Sequence, residues 1–278
     1  MIIAKTVEEI RQFRKKNPGL TGFVPTMGFL HQGHISLVEK SVSENEFTVA
    51  SIYVNPTQFG PNEDLDSYPS NIDNDLKLLE KAGCNAVFLP DNKVMYPDQH
   101  VFISIKNFSN FLCGLKRPGH FDGVLTVVAK LFNIILPDNS YFGEKDYQQL
   151  LIIKKLVKDL NFPVNISGCP TVREKDGVAM SSRNSYLDSN ERAEASALYK
   201  IHTKCREIAK NGMKTRELLD MLENFQKQIL NPDIMKKDYV EIRNQYSLEF
   251  EEYLNSDSRI FLAFYCGKTR LIDNAAIF

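Results

Sequence analysis

Short apolar runs of strand length alternate with segments of helical period through the first 172 residues, and this alternation constrains the fold more than any other feature. Residues 2–5 form one run. Thr6 then offers an N-cap, and Glu9 stands three residues on, as a capping box requires. Asn17-Pro18-Gly19 ends that helix. Runs follow at 20–25, 47–54, 85–89, around Tyr141-Phe142 and at 164–172, separated by helical patterns at 36–44, 70–82, 121–136 and 146–160. Strand and helix in strict turn predict an α/β fold of parallel βαβ units. Runs that are apolar throughout predict a sheet covered on both faces. In such sheets ligands bind beyond the carboxyl ends of the strands, so the polar turns that follow strands are the places to search.

Beyond residue 172 the pattern changes to helices at 189–210 and 215–230, then strands at 239–246, 260–265 and 269–272. This predicts a smaller α+β domain at 173–278 after a larger one at 1–172. With 34 Lys+Arg against 35 Asp+Glu, the net charge of −1 speaks against a nucleic-acid partner, which would ask for a basic excess. The five cysteines are scattered and form no CxxC pair, as expected of free thiols in a reducing compartment. The N-terminus lacks the charged and apolar regions of a secretory signal, and no run approaches the ~18 apolar residues of a membrane span, so a cytoplasmic protein is expected.

Five polar segments stand at strand-to-helix junctions or at the domain boundary. In Pro25-Thr26-Met27-Gly28-Phe29-Leu30-His31-Gln32-Gly33-His34, two imidazoles lie three residues apart where a helix begins, and the free N–H groups of a helix start suit an anion. H-x-x-H would need a third ligand to hold a metal, and none stands nearby. In Asn55-Pro56-Thr57-Gln58, two carboxamides can hydrogen-bond a small polar ligand. Residues 114–123 gather Lys116, Arg117 and His120 at the start of the long helix, either as an anion site or as a solvated loop. Phe142-Gly143-Glu144-Lys145-Asp146 puts a lysine where the helix dipole disfavours one, unless a bound anion compensates, and Gln149 follows one turn later. The fifth segment, residues 173–184, ends in Met180-Ser181-Ser182-Arg183-Asn184, a loop that could close on phosphate oxygens.

The HxGH pattern resembles the signature of the nucleotidyltransferase superfamily. Together, PTMGFLHQGH, NPTQF, GLKRPGHFDGVLTVVAKLFN, FGEKDYQQL and REKDGVAMSSRN resemble the pantoate–β-alanine ligase family, in that family's order over residues 25–187. The resemblance implies a Rossmann-like sheet domain with helices on both faces that binds nucleotide and pantoate, a C-terminal lid, and a homodimer. It implies a ligation of pantoate with β-alanine through pantoyl adenylate, with ATP and Mg²⁺ required. His34, His31 and Lys145 would be the catalytic residues. Met27, Gly28, Phe29, Leu30, His31, Gln32, Gly33 and His34 would line the ATP site together with Gly143, Glu144, Lys145 and Asp146. Val172 would meet adenine through its backbone, and Met180, Ser181, Ser182 and Arg183 would close on the phosphates. Gln58 and Gln149 would hold pantoate, with Asn55 near the β-alanine end. Asp75 and Asp146 are the candidate magnesium ligands. The family's YPRT run, with aspartates after it, reads Tyr68-Pro69-Ser70-Asn71 and then Asp73-Asn74-Asp75 here, so one expected carboxylate is an asparagine.

Overall fold

The computed structural model describes residues 1–61 and 63–278, which form two compact units, Met1–Thr171 and Val172–Phe278. The first contains β1 (Ile2–Ala4), α1 (Val7–Lys16), β2 (Thr21–Thr26), α2 (Gln32–Glu44), β3 (Phe47–Ile52), α3 (Ile72–Lys81), β4 (Ala86–Phe88), α4 (Asn92–Met95), α5 (Leu112–Lys116), α6 (His120–Ile135), β5 (Asn139–Gly143), α7 (Tyr147–Asp159) and β6 (Asn165–Cys169). The sheet order is β1-β4-β3-β2-β5-β6, with every neighbouring pair parallel. Adjacent residues on a strand point to opposite faces, and both faces are covered. Val24 joins an apolar cluster with Ile35 and Val38 of α2 and Leu79 of α3, while the ring of Phe23 packs edge-on against Phe132 of α6.

The order reverses at β2, whose chain continues to β3 on one side while β5 lies on the other. Three of the five polar segments leave the carboxyl ends of β2, β3 and β5, three neighbours at the centre of the sheet. Such a reversal opens a crevice at that end.

Local chemistry accounts for the element boundaries. The Thr6 hydroxyl accepts the Glu9 amide at 3.2 Å while the Glu9 carboxylate accepts the Thr6 amide at 3.1 Å, the capping box expected from sequence. β6 is shorter than the predicted 164–172 run because Pro170, which lacks an N–H, follows Cys169. α2 begins at Gln32 rather than at 36, with an imidazole as its N-cap.

The second unit contains α8 (Ser189–Glu194), α9 (Ala197–Ile208), α10 (Thr215–Ile229) and the antiparallel strands β7 (Met235–Asn244), β8 (Ser258–Cys266) and β9 (Thr269–Ala276), in sheet order β7-β8-β9. The single helix expected at 189–210 is two. The Ser196 hydroxyl donates to the Ala193 carbonyl at 3.0 Å, and the chain turns there instead of continuing. β7 starts four residues before the predicted strand, because a register shift between Lys237 and Tyr239 breaks the alternation that would reveal its first half. Leu198, Ile201, Leu218 and Leu222 of the helices pack on Ile260, Leu262 and Phe264 of β8. Among the described residues, no helix is long and apolar enough to cross a membrane.

Candidate active site

The turn after β2 is held by an aspartate from another element. Gly28 and Phe29 both take left-handed backbone conformations, with φ of +83° and +51°. Successive N–H groups in such a turn converge on an anion. That anion is Asp75 of α3, whose two carboxylate oxygens accept the Phe29 amide at 2.8 Å and the Leu30 amide at 2.7 Å. Asp75 is 1% exposed, and burial raises its pKa while the two amides hold it down. Asp75, a magnesium ligand by expectation, here has a structural role: both its oxygens hold backbone amides of the histidine turn. Leu30 also departs from expectation, since its side chain is buried in the core cluster with Val24 and Leu37.

Beyond that turn, the two imidazoles cap α2. His31 is the N-cap. Its Nδ1 accepts the Gly33 amide at 3.1 Å, and Nδ1 of His34 accepts the His31 amide at 3.3 Å. This pairing starts the helix four residues earlier than a search for Ser, Thr, Asp or Asn caps would place it. A nitrogen that accepts an N–H carries a lone pair, so in each neutral ring the proton resides on Nε2. The ring centroids are 4.0 Å apart. Burial pushes the His34 pKa down to about 3, reinforced by His31 and by the charge of Lys145. At neutral pH His34 is thus an uncharged donor.

The backbone of this segment is not the free anion cradle that its sequence suggests. The amides of Gly28, Phe29, Leu30, His31, Gly33 and His34 each donate to an acceptor within the protein. Lys145, whose side chain retains 20% exposure, lies 3.8 Å from Asp146.

After β3, Asn55 caps a short 3-10 turn, Pro56–Gln58. Asn55 is 1% exposed. Its amino group donates to Gln58 Oε1 at 3.1 Å and to the Gly123 carbonyl at 3.2 Å, which uses both hydrogens. Asn55 therefore positions Gln58 instead of meeting substrate as expected. Gln58 Nε2 rests 3.0 Å from Met27 Sδ, so the turns after β2 and β3 meet at this pair. α6 presses on the same turn: a Cβ at Gly123 would stand 2.3 Å from the Thr57 carbonyl oxygen and 2.6 Å from the Gln58 amide nitrogen.

The basic segment 114–123 is inward-looking. Arg117 grips Glu63 through two hydrogen bonds of 2.6 and 2.5 Å, and also donates to His120 Nε2 at 3.0 Å. His120 Nδ1 then donates to the Gln58 carbonyl at 2.8 Å. Burial lowers the His120 pKa to about 4, with Arg117 adding to the effect. Burial pushes the Glu63 carboxyl up, but the Arg117 hydrogen bond and charge prevail and its pKa is lowered. The charge of Arg117 is matched by Glu63.

At the carboxyl end of β5, Glu144–Asp146 forms a 3-10 turn leading into α7. Gln148 is consumed by structure, accepting from the Cys113 amide and donating to the carbonyls of Phe108 and Phe111. Its neighbour Gln149 is partly exposed.

In the second unit, Val172 accepts the Met180 amide at 3.0 Å, and Arg173 pairs with Ala179 across a small hairpin. Ser181 Oγ accepts the Arg183 amide and so caps the 3-10 turn Ser182–Tyr186. Arg173, the first residue of the fifth polar segment, binds Asp273 through bonds of 2.7 and 2.8 Å. Its charge is therefore matched within this unit.

A family model for pantoate–β-alanine ligase matches residues 2–276. The chain belongs to the pantoate–β-alanine ligase family. It is 47% identical to the pantothenate synthetase of Caldicellulosiruptor saccharolyticus, over 100% of this chain and 99% of that one. The pantothenate synthetase structure from Thermus thermophilus matches with a TM-score of 0.95 at 41% identity, covering 100% of both chains. The pantoate–β-alanine ligase of Francisella tularensis, solved as a complex with "Beta-gamma ATP and Beta-alanine", matches with a TM-score of 0.82 at 40% identity, over 100% of this chain and 98% of that one. As a member of the pantoate–β-alanine ligase family, the chain is an enzyme, a ligase that forms pantothenate by joining pantoate to β-alanine.

Sequence reasoning did not find Asp75 as the anchor of the histidine turn, nor Gln148 as the anchor of residues 108–113. Tyr96, whose hydroxyl donates to Asn55 Oδ1 at 2.8 Å, went unnoticed altogether. No spacing rule connects residues 41 apart, so only the fold reveals this contact.

Proposed function

We propose that the chain drives this ligation with ATP in two steps. A carboxylate oxygen of pantoate attacks the α-phosphorus, and the bond to the bridging oxygen breaks to release pyrophosphate. The β-alanine amine then attacks the acyl carbon of pantoyl adenylate, loses a proton, and AMP departs. The observation that supports this reading is the close pairing of the His31 and His34 rings, centroids 4.0 Å apart, with Lys145 near enough for its charge to act on His34. Charge builds on phosphate oxygens in the first step, and preoriented donors stabilise it without having to reorganise. Burial lowers the His34 pKa to about 3, so the ring meets the substrates as a neutral hydrogen-bond donor at neutral pH.

In the same reading Gln58 and Gln149 hold pantoate, and Gly143 to Asp146 with Val172 take the nucleotide. Residues 173–278 act as a lid that brings Met180, Ser181, Ser182 and Arg183 to the phosphates. Magnesium would enter with ATP and neutralise phosphate charge. Such an ion keeps several waters and takes only one or two carboxylates. Asp146, with 47% of its side chain exposed, fits that requirement better than Asp75, which is 1% exposed and already holds two backbone amides. A cytoplasmic homodimer completes the proposal and rests on family membership.

One assay tests the route. Pyrophosphate should exchange into ATP only when pantoate is present, and AMP should be released only when β-alanine is added. Formation of ADP would reject the acyl adenylate.

A further inference from the structure

The carboxamide of Gln58 has a fixed polarity, and the groups that fix it can be followed outward. Asn55 Oδ1 accepts from the Tyr96 hydroxyl at 2.8 Å, the Thr57 hydroxyl at 3.0 Å and the Thr57 amide at 3.4 Å, while its amino group serves Gln58 Oε1 and the Gly123 carbonyl. A reversed Asn55 would set N–H against the Thr57 N–H and oxygen against the Gly123 carbonyl. Neither backbone group can change its polarity, so Asn55 has one orientation. Gln58 Oε1 must then face Asn55, which leaves Nε2 beside Met27 Sδ. A thioether is a weak acceptor, so Gln58 offers N–H to whatever lies in front of it.

We propose that Tyr96 is a positioning residue for substrate recognition: through Asn55 it holds Gln58 with its amino group toward the ligand, so that this place in the site accepts a carboxylate or hydroxyl oxygen and rejects an ammonium group. The inference rests on the reading of Gln58 as a pantoate-binding residue. It distinguishes the carboxylate or hydroxyl end of a substrate from the ammonium end of β-alanine at this point.

The surroundings of Tyr96 suit a fixed donor. The residue directly follows α4, and α4 is tied to the end of β3 by the Tyr53 hydroxyl, which donates to Asn92 Oδ1 at 2.7 Å. The Tyr53 and Tyr96 rings pack with centroids 6.2 Å apart, and Lys130 Nζ lies 5.3 Å from the centre of the Tyr96 ring. Burial raises the Tyr96 pKa, so the hydroxyl keeps its proton. Asn55 is buried, and a lost tyrosine hydroxyl would not be replaced from bulk solvent.

The test is a double-mutant cycle read in pantoate-dependent pyrophosphate exchange. Tyr96→Phe keeps the ring and removes the donor. It should raise the pantoate KM about 3- to 10-fold, the worth of one hydrogen bond, with the ATP KM and kcat changed by less than about twofold. Asn55→Asp removes the donor to Gln58 and should raise the pantoate KM further, because Gln58 then turns its amino group inward. In a Gln58→Ala background, Tyr96→Phe should have no additional effect on that KM, since the relay has lost its last member. Unfolding midpoints of the single and double variants confirm that each is folded. An equal Tyr96→Phe effect with and without Gln58 would make Tyr96 a merely structural residue and overturn the proposal. An unchanged pantoate KM in folded Tyr96→Phe would overturn it as well, while leaving the ligase reading intact. Absence of pantoate-dependent exchange in the wild type would overturn both.

Discussion

The starts of α2 and α6 both carry histidine, and they use it in opposite ways. At α2 the two Nδ1 atoms accept backbone amides, which turns both Nε2–H groups away from the helix. At α6 both nitrogens of His120 are engaged, one giving its proton to the Gln58 carbonyl and the other accepting from Arg117. Burial depresses both His34 and His120, to about 3 and about 4, so titration does not distinguish them. What distinguishes them is how the protein uses the second nitrogen. In His34 the inner nitrogen is tied down by backbone and the outer one is left for the ligand contact proposed above, whereas His120 spends both on the protein.

This contrast can be broken experimentally. The largest effect is expected from His34→Ala, which should lower kcat about 10²- to 10³-fold, as loss of a preorganised donor does, with stability lowered only by the loss of one capping contact, about 0.5–2 kcal/mol; Lys145→Ala should lower kcat alike with the thermal midpoint nearly unchanged. Near-native turnover in either folded variant would remove the α2 side of the comparison. Asp75→Asn comes next. The asparagine amino group would oppose one of the two amides the carboxylate accepts, so stability should fall by about 1–3 kcal/mol and turnover should fall with it, measured by urea unfolding and by exchange rate. An enzyme that loses magnesium affinity but keeps its stability would restore Asp75 as a metal ligand. His120→Ala should act on recognition more than on rate. Without the clamp on the Gln58 carbonyl, the pantoate KM should rise several-fold, by about the worth of one hydrogen bond, while kcat stays within about threefold. A kcat loss matching that of His34→Ala would erase the distinction between the two helix starts.

The smallest effect is one of pH. His34, His120 and His202 all have folded pKa values lowered from 6.5, chiefly by burial, to about 3, 4 and 4. A lowered histidine pKa means that the unfolded chain binds more protons between 6.5 and the folded value. These groups therefore leave stability intact above pH 6.5 and withdraw it as pH falls through 6.5 toward 4. Urea midpoints should decline over that window, and His120→Ala should flatten the slope by one histidine's share. An unchanged slope would mean that His120 is protonated in the folded enzyme.

How much of this was legible beforehand depends on the range of the interaction. The Thr6–Glu9 capping box, the alternation of strands with helices and the order of the polar segments are local, and all were readable. The first turn of α2 was not, because imidazoles stand where hydroxyl or carboxylate caps are usual. The break at Ser196 turns on one hydroxyl choosing a carbonyl of its own helix, and the start of β7 is hidden by a register shift. The site itself was readable as a set of segments and less so as a set of roles. Asp75, Asn55, Arg117 and Arg173 are the right residue types for ligand contact, but in the folded chain each is engaged by a protein partner far off in sequence. Composition and spacing describe which groups are available, and only the fold shows which are already taken.

Gly123 shows what this means for changing the enzyme. At that position the long helix and the Gln58 turn meet backbone to backbone, with no room for a single methyl group. The remainder of that helix is largely core, where exchanging one apolar residue for another registers as stability. A graft of the helix from a related scaffold that carried alanine at 123 would displace either the helix or the turn. On the proposed role of Gln58, its first symptom would be a change in which acid the enzyme accepts.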